Sequence, residues 1–201
     1  RDAFVTGQAL ARVYINLNKF FFSMFRKYEY ENCKQKIHLM AHSMGNQVLK
    51  QMLGELNESY ILPFVGEAIL AHADINFTSF EKTEPMYKLQ KLAQRIHIYV
   101  HKGDDALSIS TTTKNFSKRL GKVGPSNDQD LESSTIIVDV TGIKYLKAPT
   151  DSILDYKMNV IVDHWGYMYS EQMILDIRKV LEGVDEGRIE SRVRHDKKLN
   201  Y

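Results

Sequence analysis

The amino-acid sequence predicts an α/β fold built on an open, mostly parallel sheet with helices on both faces. Four short apolar runs of strand length alternate with segments of helical periodicity, and parallel strands need crossover connections of that kind. The runs are almost continuously apolar, which is typical of strands covered on both faces. A length of 201 residues with 43% hydrophobic content suits one domain with a sizeable core.

The leading segment, residues 3–28, predicts a long amphipathic helix. Its apolar side chains recur at steps of three and four. They are expected to form one buried stripe, made of Leu10, Val13, Leu17, Phe20, Met24 and Tyr28. We interpret the triple phenylalanine at 20–22 as part of this stripe, with a membrane-surface role as the alternative.

The remaining elements follow in alternation. Strands are predicted over residues 36–41, 66–73, 95–100 and 134–140. Helices are predicted over residues 44–56, 85–95, 106–120 and 170–183. Ser170 is expected to cap the last helix. Residues 1–182 then form one domain, and the charged residues 183–201 form a loosely held tail.

Composition excludes several classes of function. A net charge of +2 is too weak to indicate binding to nucleic acid or to an anionic membrane. Cys33 is the only cysteine, so neither an internal disulfide nor a zinc cluster of thiolates is expected. No apolar run approaches the roughly 18 residues that span a bilayer, and no signal-peptide pattern is visible. We therefore expect a cytoplasmic protein, with a secreted or periplasmic location as the alternative; the oligomeric state is not indicated.

A serine between the first predicted strand and the helix after it predicts a nucleophile elbow. Ser43 has His42 and Met44 on either side. Small residues, Ala41 and Gly45, stand two positions away, where larger side chains are expected to crowd the backbone. The Met44 N–H is the expected oxyanion donor, and His42 is expected to shape the elbow rather than to take a proton. The alternative is a serine that only caps the following helix.

An activated serine needs a base and an orienting acid. In an open parallel sheet both are expected on loops that follow later strands. Asp104 and Asp105 follow the third predicted strand, Asp74 follows the second as their rival, and His164 precedes the last helix. The order Ser, Asp, His is that of the α/β-hydrolases. No histidine pair has metal-ligand spacing with a carboxylate, so neither a metal nor a cofactor is expected.

Five stretches of the chain, between Arg1 and Leu181, carry a resemblance to a known family. They read RDAFVTGQALARV, IHLMAHSMGNQVL, ADI, IYVHKGDDALSIS and DHWGYMYSEQMILDIRKVL. The most specific are the AHSMGN elbow and the Asp-x-Ala-Leu arrangement of Asp104, Ala106 and Leu107. With these, the chain resembles a family of largely uncharacterised, mainly bacterial α/β-hydrolases described as esterase/lipase superfamily enzymes.

The resemblance implies roles for three residues. It makes Ser43 the nucleophile, Asp104 rather than Asp105 the acid, and His164 the base. Members of the family begin with further strands and a His-Gly loop that supplies a second oxyanion N–H. No such segment precedes Arg1 in this sequence, so the chain is expected to be an N-terminally incomplete domain, its C-terminal two-thirds.

The sequence therefore predicts a serine hydrolase that cleaves a small-molecule or lipid carboxylic ester through a Ser-His-Asp triad and an acyl-enzyme. A lipase preference would draw on the aromatic side chains that follow His164. The alternative from another class is a non-catalytic binding module or pseudoenzyme on the same fold, because half of the oxyanion hole is not encoded. A nucleotide-binding protein is disfavoured, since no glycine-rich phosphate loop is present.

Overall fold

The computed structural model describes residues 2–28, 36–63, 65–113, 117–143, 164–190 and 192, with side chains omitted at 25–28 and 112–113. The strands are β1 (Ile37–His42), β2 (Val65–Ala71), β3 (Ala93–Val100) and β4 (Thr135–Asp139). The α-helices are α1 (Asp2–Tyr28), α2 (Gly45–Glu55), α3 (Leu89–Leu92), α4 (Asp105–Thr113), α5 (Leu120–Val123), α6 (Gly166–Tyr169) and α7 (Glu171–Leu181).

The four strands form one parallel sheet in the order β1-β2-β3-β4, which confirms the predicted α/β fold. His42 pairs with Ala71, and Ala71 pairs with Tyr99. The first three strands therefore end at the same level. Because the strands are parallel, the residues that follow them meet at one edge of the sheet.

Helices cover both faces of the sheet, as predicted. On one face, Leu49 and Leu53 of α2 pack with Leu70 of β2 in the larger core. On the other face, Ile177 of α7 packs against Ile69 of β2. All seven residues of β2 are buried, because this strand has a neighbour on each side and a helix layer above and below.

Helix α1 has the predicted extent, but its predicted buried stripe is wrong. The buried residues of α1 are Gly7, Ala11 and Tyr14, and this helix packs against α2. A Cβ on Gly7 would lie 2.5 Å from the Cβ of Gln51, so the close approach of the two helices requires small residues. Most of the predicted stripe is turned away, and its members that are more than one-third exposed are Leu10, Val13, Leu17 and Phe20.

The other members of the predicted stripe fare differently. Met24 is half-buried, and the side chain of Tyr28 lies outside the described part. Phe22, from the triple phenylalanine, is 59% exposed. The aromatic run is therefore not the buried core of this helix.

Two predicted helices are shorter than expected. Residues 85–95 divide into a 3₁₀ turn, Pro85–Lys88, and the single turn of α3, because Ala93 already pairs with Val65 in the sheet. Residues 105–113 form α4, residues 117–119 are not helical, and Leu120 begins α5. Strand pairing overrides helical periodicity in the first case.

Beneath α7 lies a group of paired polar side chains, which we call the Glu67 cluster. It consists of Glu67, Arg95, His97, Tyr99, Asp176 and Arg192. Arg95 binds both carboxylate oxygens of Glu67 at 2.8–3.1 Å, and His97 Nε2 lies 3.1 Å from Glu67 Oε2. Burial would raise the pKa of Glu67, but hydrogen bonds from His97 and Arg95 outweigh it and lower the pKa to about 2.

The predicted tail, residues 183–201, is described only to residue 192, and there it is not loosely held. Ile189 is 4% exposed within the smaller core. Arg192 donates to both carboxylate oxygens of Asp176, at 2.7 and 2.8 Å, and Arg95 donates to the Val184 carbonyl at 2.8 Å. The described part of this charged segment is held in place because Arg192 forms a bidentate ion pair with the buried Asp176 carboxylate. The boundary at residue 182 stays a prediction.

Among the described helices, none combines the length and the apolar character that crossing a membrane demands.

Candidate active site

Ser43 occupies a sharp turn between β1 and α2. Its φ of 49° lies in the left-handed region, which few residues other than glycine adopt without a constraint. The constraint is a set of backbone bonds: Ser43 N donates to the Ala71 carbonyl at 3.0 Å, and the Ser43 carbonyl accepts from the N–H groups of Asn46 and Asp74 at 3.1 Å. The strand-turn-helix geometry expected of a nucleophile elbow is therefore present.

Asn46 supports this turn, and the sequence reasoning missed it. Its side chain is fully buried, and its amide nitrogen donates to the carbonyls of Ala41 and Ser43, both at 3.1 Å. The signal in the sequence was an asparagine in the first turn of the predicted helix, three residues after the serine, where its amide can reach nearby backbone carbonyls.

The small residues on either side of Ser43 lie in different surroundings. Ala41 is 7% exposed and packs in the larger core. At Gly45, however, an added Cβ would meet no described atom within 4 Å. Crowding of the backbone at Ala41 and Gly45 therefore stays a prediction.

Met44 is the N-cap of α2, with helical backbone angles (φ −64°, ψ −16°). In the described part of the chain, its N–H donates no backbone hydrogen bond. This N–H stands at the N-terminus of an eleven-residue helix, where unsatisfied donors favour negative charge. An oxyanion formed on a group attached to Ser43 would find such a donor here.

Ser43, His164 and Asp104 are joined by a continuous chain of hydrogen bonds. His164 Nε2 lies 2.7 Å from Ser43 Oγ, and His164 Nδ1 lies 2.8 Å from Asp104 Oδ2. An ionised carboxylate can only accept, so Nδ1 carries the imidazole proton and Nε2 is left to accept from the serine hydroxyl. The three residues that were predicted from their order along the chain are thus joined by hydrogen bonds.

Asp104 is placed at the edge of the sheet by the turn after β3. It is fully buried, and its Oδ1 accepts from the Leu107 N–H at 2.9 Å, which caps α4. Asp105, its neighbour, is exposed in the first turn of α4. Asp74 accepts from Ser110 at 2.6 Å and pairs with Arg119 at 3.3 Å. Of the three candidate acids, Asp104 is the one bonded to His164.

His42 holds the loop that carries His164. Its Nε2 lies 2.8 Å from the His164 carbonyl, and because a carbonyl only accepts, Nε2 is the donor. Its ring contacts the ring of Trp165 at 4.4 Å between centroids. Burial lowers the pKa of His42 to about 4, so the ring is neutral near pH 7. This geometry agrees with a shaping role and not with that of a base.

The Asp104 carboxylate has a third partner that the sequence did not predict. His72 Nδ1 lies 2.9 Å from Asp104 Oδ2, the same oxygen that contacts His164. Burial alone would raise the pKa of Asp104, but hydrogen bonds from His164, His72 and the Leu107 N–H outweigh it and hold the pKa well below its ordinary value. Burial lowers the pKa of His72. The carboxylate is therefore ionised beside a neutral imidazole.

The same three side chains have donor atoms that a metal could use. Ligand atoms of His72, Asp104 and His164 all lie within 4.8 Å of one another, and imidazole with carboxylate suits zinc and related ions. The spacing along the sequence did not predict this group, because the fold alone brings it together. An ion bound through the Nδ1 atoms would take the place of the proton that His164 shares with Asp104.

Comparison with known proteins gives the family. The family model described as an alpha/beta hydrolase of unknown function (DUF900) matches residues 17–159. This range includes the elbow and Asp104 and stops before His164. A search of the curated proteins and a search of the solved structures each find no match. The match extends over more than half of the chain and agrees with the parallel sheet. The chain therefore belongs to the DUF900 family of α/β-hydrolases of unknown function.

Proposed function

We propose that this chain is a serine hydrolase that cleaves a carboxylic ester by transferring the acyl group to Ser43 and then to water. One observation carries the proposal: the unbroken chain from Ser43 Oγ through His164 to Asp104, with distances of 2.7 and 2.8 Å. A serine that only caps a helix needs no histidine on its hydroxyl and no carboxylate behind that histidine.

In the first half-reaction, Ser43 Oγ attacks the carbonyl carbon of the ester while its proton moves to His164 Nε2. The resulting imidazolium is stabilised by the Asp104 carboxylate, which stays ionised. The negative charge that develops on the substrate oxygen lies near the Met44 N–H. His164 then gives the proton to the leaving alkoxide, so an alcohol departs and Ser43 carries the acyl group.

The second half-reaction repeats the sequence with water. His164 Nε2 accepts a proton from water, whose oxygen attacks the acyl carbon. Collapse of the tetrahedral intermediate returns the proton to Ser43 Oγ and releases the carboxylic acid. Nothing is oxidised or reduced in either half-reaction, and water is the only co-reactant.

The side chains next to the reacting pair favour an apolar acyl or alcohol group. Met44, which follows Ser43, is 56% exposed, and Trp165, which follows His164, is 36% exposed. Exposed apolar side chains beside polar reactive groups are typical of ligand sites for apolar molecules. We therefore expect uncharged esters to be cleaved faster than esters with a charged acyl group.

The experiment is labelling with a fluorophosphonate, which phosphonylates an activated serine whatever the natural substrate, followed by mapping of the modified peptide. We expect labelling at Ser43. His164→Ala should slow it by at least about 10³-fold, and Ser43→Ala should abolish it. A chelator should leave the rate unchanged, because the proposed reaction uses no metal.

Ser108→Ala is the matched control. Ser108 accepts a hydrogen bond from Lys122, a pairing that can also activate a serine. Label on Ser108 instead of Ser43 would contradict the proposal. A folded protein that takes up no label at Ser43 would favour the non-catalytic binding module.

A further inference from the structure

His72 lies against the reacting groups, yet the mechanism proposed above does not use it. Its ring is fully buried directly after β2. Its Nδ1 lies 2.9 Å from Asp104 Oδ2, while His164 Nδ1 lies 2.8 Å from the same oxygen. One carboxylate oxygen thus receives two imidazole donors.

The backbone holds His72 in an unusual conformation. Its φ is 47°, and among the described residues other than glycine only Ser43 shares a positive φ. His72 N donates to the Tyr99 carbonyl at 3.3 Å. Gly121 lies close against the His72 backbone, since a Cβ added to this glycine would lie 2.4 Å from the His72 carbonyl carbon. Conformations of this kind persist only where the surroundings enforce them, and they concentrate at functional sites.

The position of the proton on His72 follows from its partner. Asp104 is ionised and only accepts, so the single proton of a neutral His72 is on Nδ1. Nε2 is then a bare acceptor, and among the described residues this buried atom has no hydrogen-bond partner. Leaving an acceptor unpaired in the interior is unfavourable. A histidine that served only for packing would not have to accept this cost. The tautomer with the proton on Nδ1 is the one that keeps the hydrogen bond from His72 to Asp104.

A neutral donor has a different effect from a cation. An arginine in this place would neutralise the carboxylate and weaken its attraction for an imidazolium. A neutral imidazole fixes the direction of Oδ2 and leaves the negative charge in place. Among the described residues, three other titratable rings contact His72: His42, His101 and His164, whose centroids lie 6.2, 6.1 and 5.7 Å away.

We propose that His72 is a positioning residue that aligns Asp104 Oδ2 with His164 Nδ1, an inference that rests on the proposed hydrolase function. It acts through Asp104 and does not touch the substrate. Its loss lets the carboxylate rotate away from His164, and a misplaced catalytic group is costly even when the shift is small.

The test compares His72→Leu with His72→Asn. Leucine removes the donor. Asparagine keeps one, because its Nδ2 is separated from the backbone by the same number of bonds as the Nδ1 of histidine, and it tolerates a positive φ. The readout is the fluorophosphonate labelling rate of Ser43 as a function of pH, corrected for the folded fraction.

For His72→Leu we expect a rate lower by about 10- to 100-fold. The acid limb of the profile should also move to lower pH, because a carboxylate that has turned away from His164 stabilises its imidazolium form less. His72→Asn should restore the rate to within about 3-fold of the wild type and return the limb. A folded His72→Leu with an unchanged profile, or a His72→Asn no better than it, would overturn the inference.

His97→Leu is the matched control. His97 is also fully buried and also bonded to a carboxylate, Glu67, but on the face covered by α7. It should lower stability and leave the acid limb where it is. Should His72→Leu not fold, His72→Gly removes the donor in a residue suited to a positive φ, with the same outcomes expected.

Proton NMR separates failure of this inference from failure of the proposed function. We expect two low-field Nδ1–H signals, one lost in His72→Asn and the other in His164→Ala. A wild type that does not label refutes the hydrolase proposal alone. In that case the His164 signal is compared between the wild type and a donor-free variant, His72→Leu or His72→Gly. A weaker signal in the variant supports the positioning role, and an unaltered signal overturns it.

Discussion

In the described part of the chain, two buried carboxylates have histidine partners, and they differ in what else binds them. Asp104 is fully buried and Glu67 is 1% exposed. Glu67 is held by His97 and also by both nitrogens of a fork-like contact from Arg95. Among the described contacts, Asp104 is bonded by two imidazoles and one backbone N–H, and by no lysine or arginine.

The difference separates a structural cluster from the one to which we assign the proposed reaction. In the Glu67 cluster a permanent cation already balances the carboxylate, so little attraction is left for another positive charge. Asp104 keeps its charge, which in the proposed reaction would stabilise the imidazolium formed when the Ser43 proton moves to His164. The presence of a nearby cation thus decides what a buried carboxylate–histidine pair can do.

The largest expected effect comes from removing each carboxylate charge in turn. Asp104→Asn should slow labelling of Ser43 by about 10⁴-fold, as expected when the acid of a triad becomes an amide. Glu67→Gln should lower the midpoint of thermal unfolding, because it leaves the Arg95 guanidinium without its anionic partner. The folded fraction of Glu67→Gln should label at the wild-type rate. Equal loss of labelling in both variants would remove the distinction between the two clusters.

The next effect concerns the arginine that ties the C-terminal segment to α7. Arg192→Ala leaves Asp176 without a bidentate partner in a largely buried site. We expect a loss of about 3 kcal/mol in the free energy of unfolding, measured by urea denaturation. Arg178→Ala is the control, since the pair of Arg178 with Glu182 is exposed and should contribute little. Labelling of Ser43 should be unchanged in both.

A smaller effect is expected from the tyrosine that shares Asp176. The Tyr99 hydroxyl donates to Asp176 at 2.5 Å, and a hydrogen bond to a charged group contributes about 1.5–3 kcal/mol. Tyr99→Phe should cost the lower end of that range, since Arg192 still binds the carboxylate. A cost equal to that of Arg192→Ala would show that the hydroxyl and the guanidinium act as one unit, which a double-mutant cycle would measure.

The pH dependence of stability is also expected to differ between the two regions, because their groups titrate in different pH windows. The pKa of His42 falls from 6.5 to about 4 on folding, so the unfolded chain binds the extra proton and stability decreases as the pH falls from 6.5 towards 4. The pKa of Glu67 falls from 4.5 to about 2, so its contribution is present above 4.5 and is lost as the pH falls towards 2.

Each window has its own variant. His42→Gln, which keeps a terminal amide donor, should flatten part of the slope between pH 6.5 and 4. Glu67→Gln should flatten part of the slope below 4.5. Urea midpoints measured at half-unit intervals of pH would show this, and a variant that flattened the other region's window would contradict the assignment.

Much of the fold could be predicted from the sequence because strand and helix periodicity is local. The four strands and the elbow at Ser43 appear within a few residues of their predicted positions. The stripe of α1 could not be predicted, since its apolar residues fit two faces of a helix. Only the close crossing at Gly7 selects the face with small residues.

The candidate site was predictable in part for a related reason. Ser43, Asp104 and His164 each follow a predicted strand or precede a helix, so their order along the chain carried information. His72 also follows a strand, but nothing in its surroundings in the sequence distinguishes it from a packed histidine. Its bond to Asp104, 32 residues later, depends on the turn that Gly121 permits.

The sequence by itself determined the alternation of strands and helices, the elbow, and the type of chemistry that a serine, a histidine and an aspartate can perform. The tertiary structure decided which side of α1 is buried, which aspartate meets His164, and which carboxylate is left without a cation. Patterns along a chain specify local conformation, because hydrogen bonding and side-chain spacing act over a few residues. Which atoms meet across 121 residues, as Ser43 and His164 do, depends on strand register and on the close approach of distant turns.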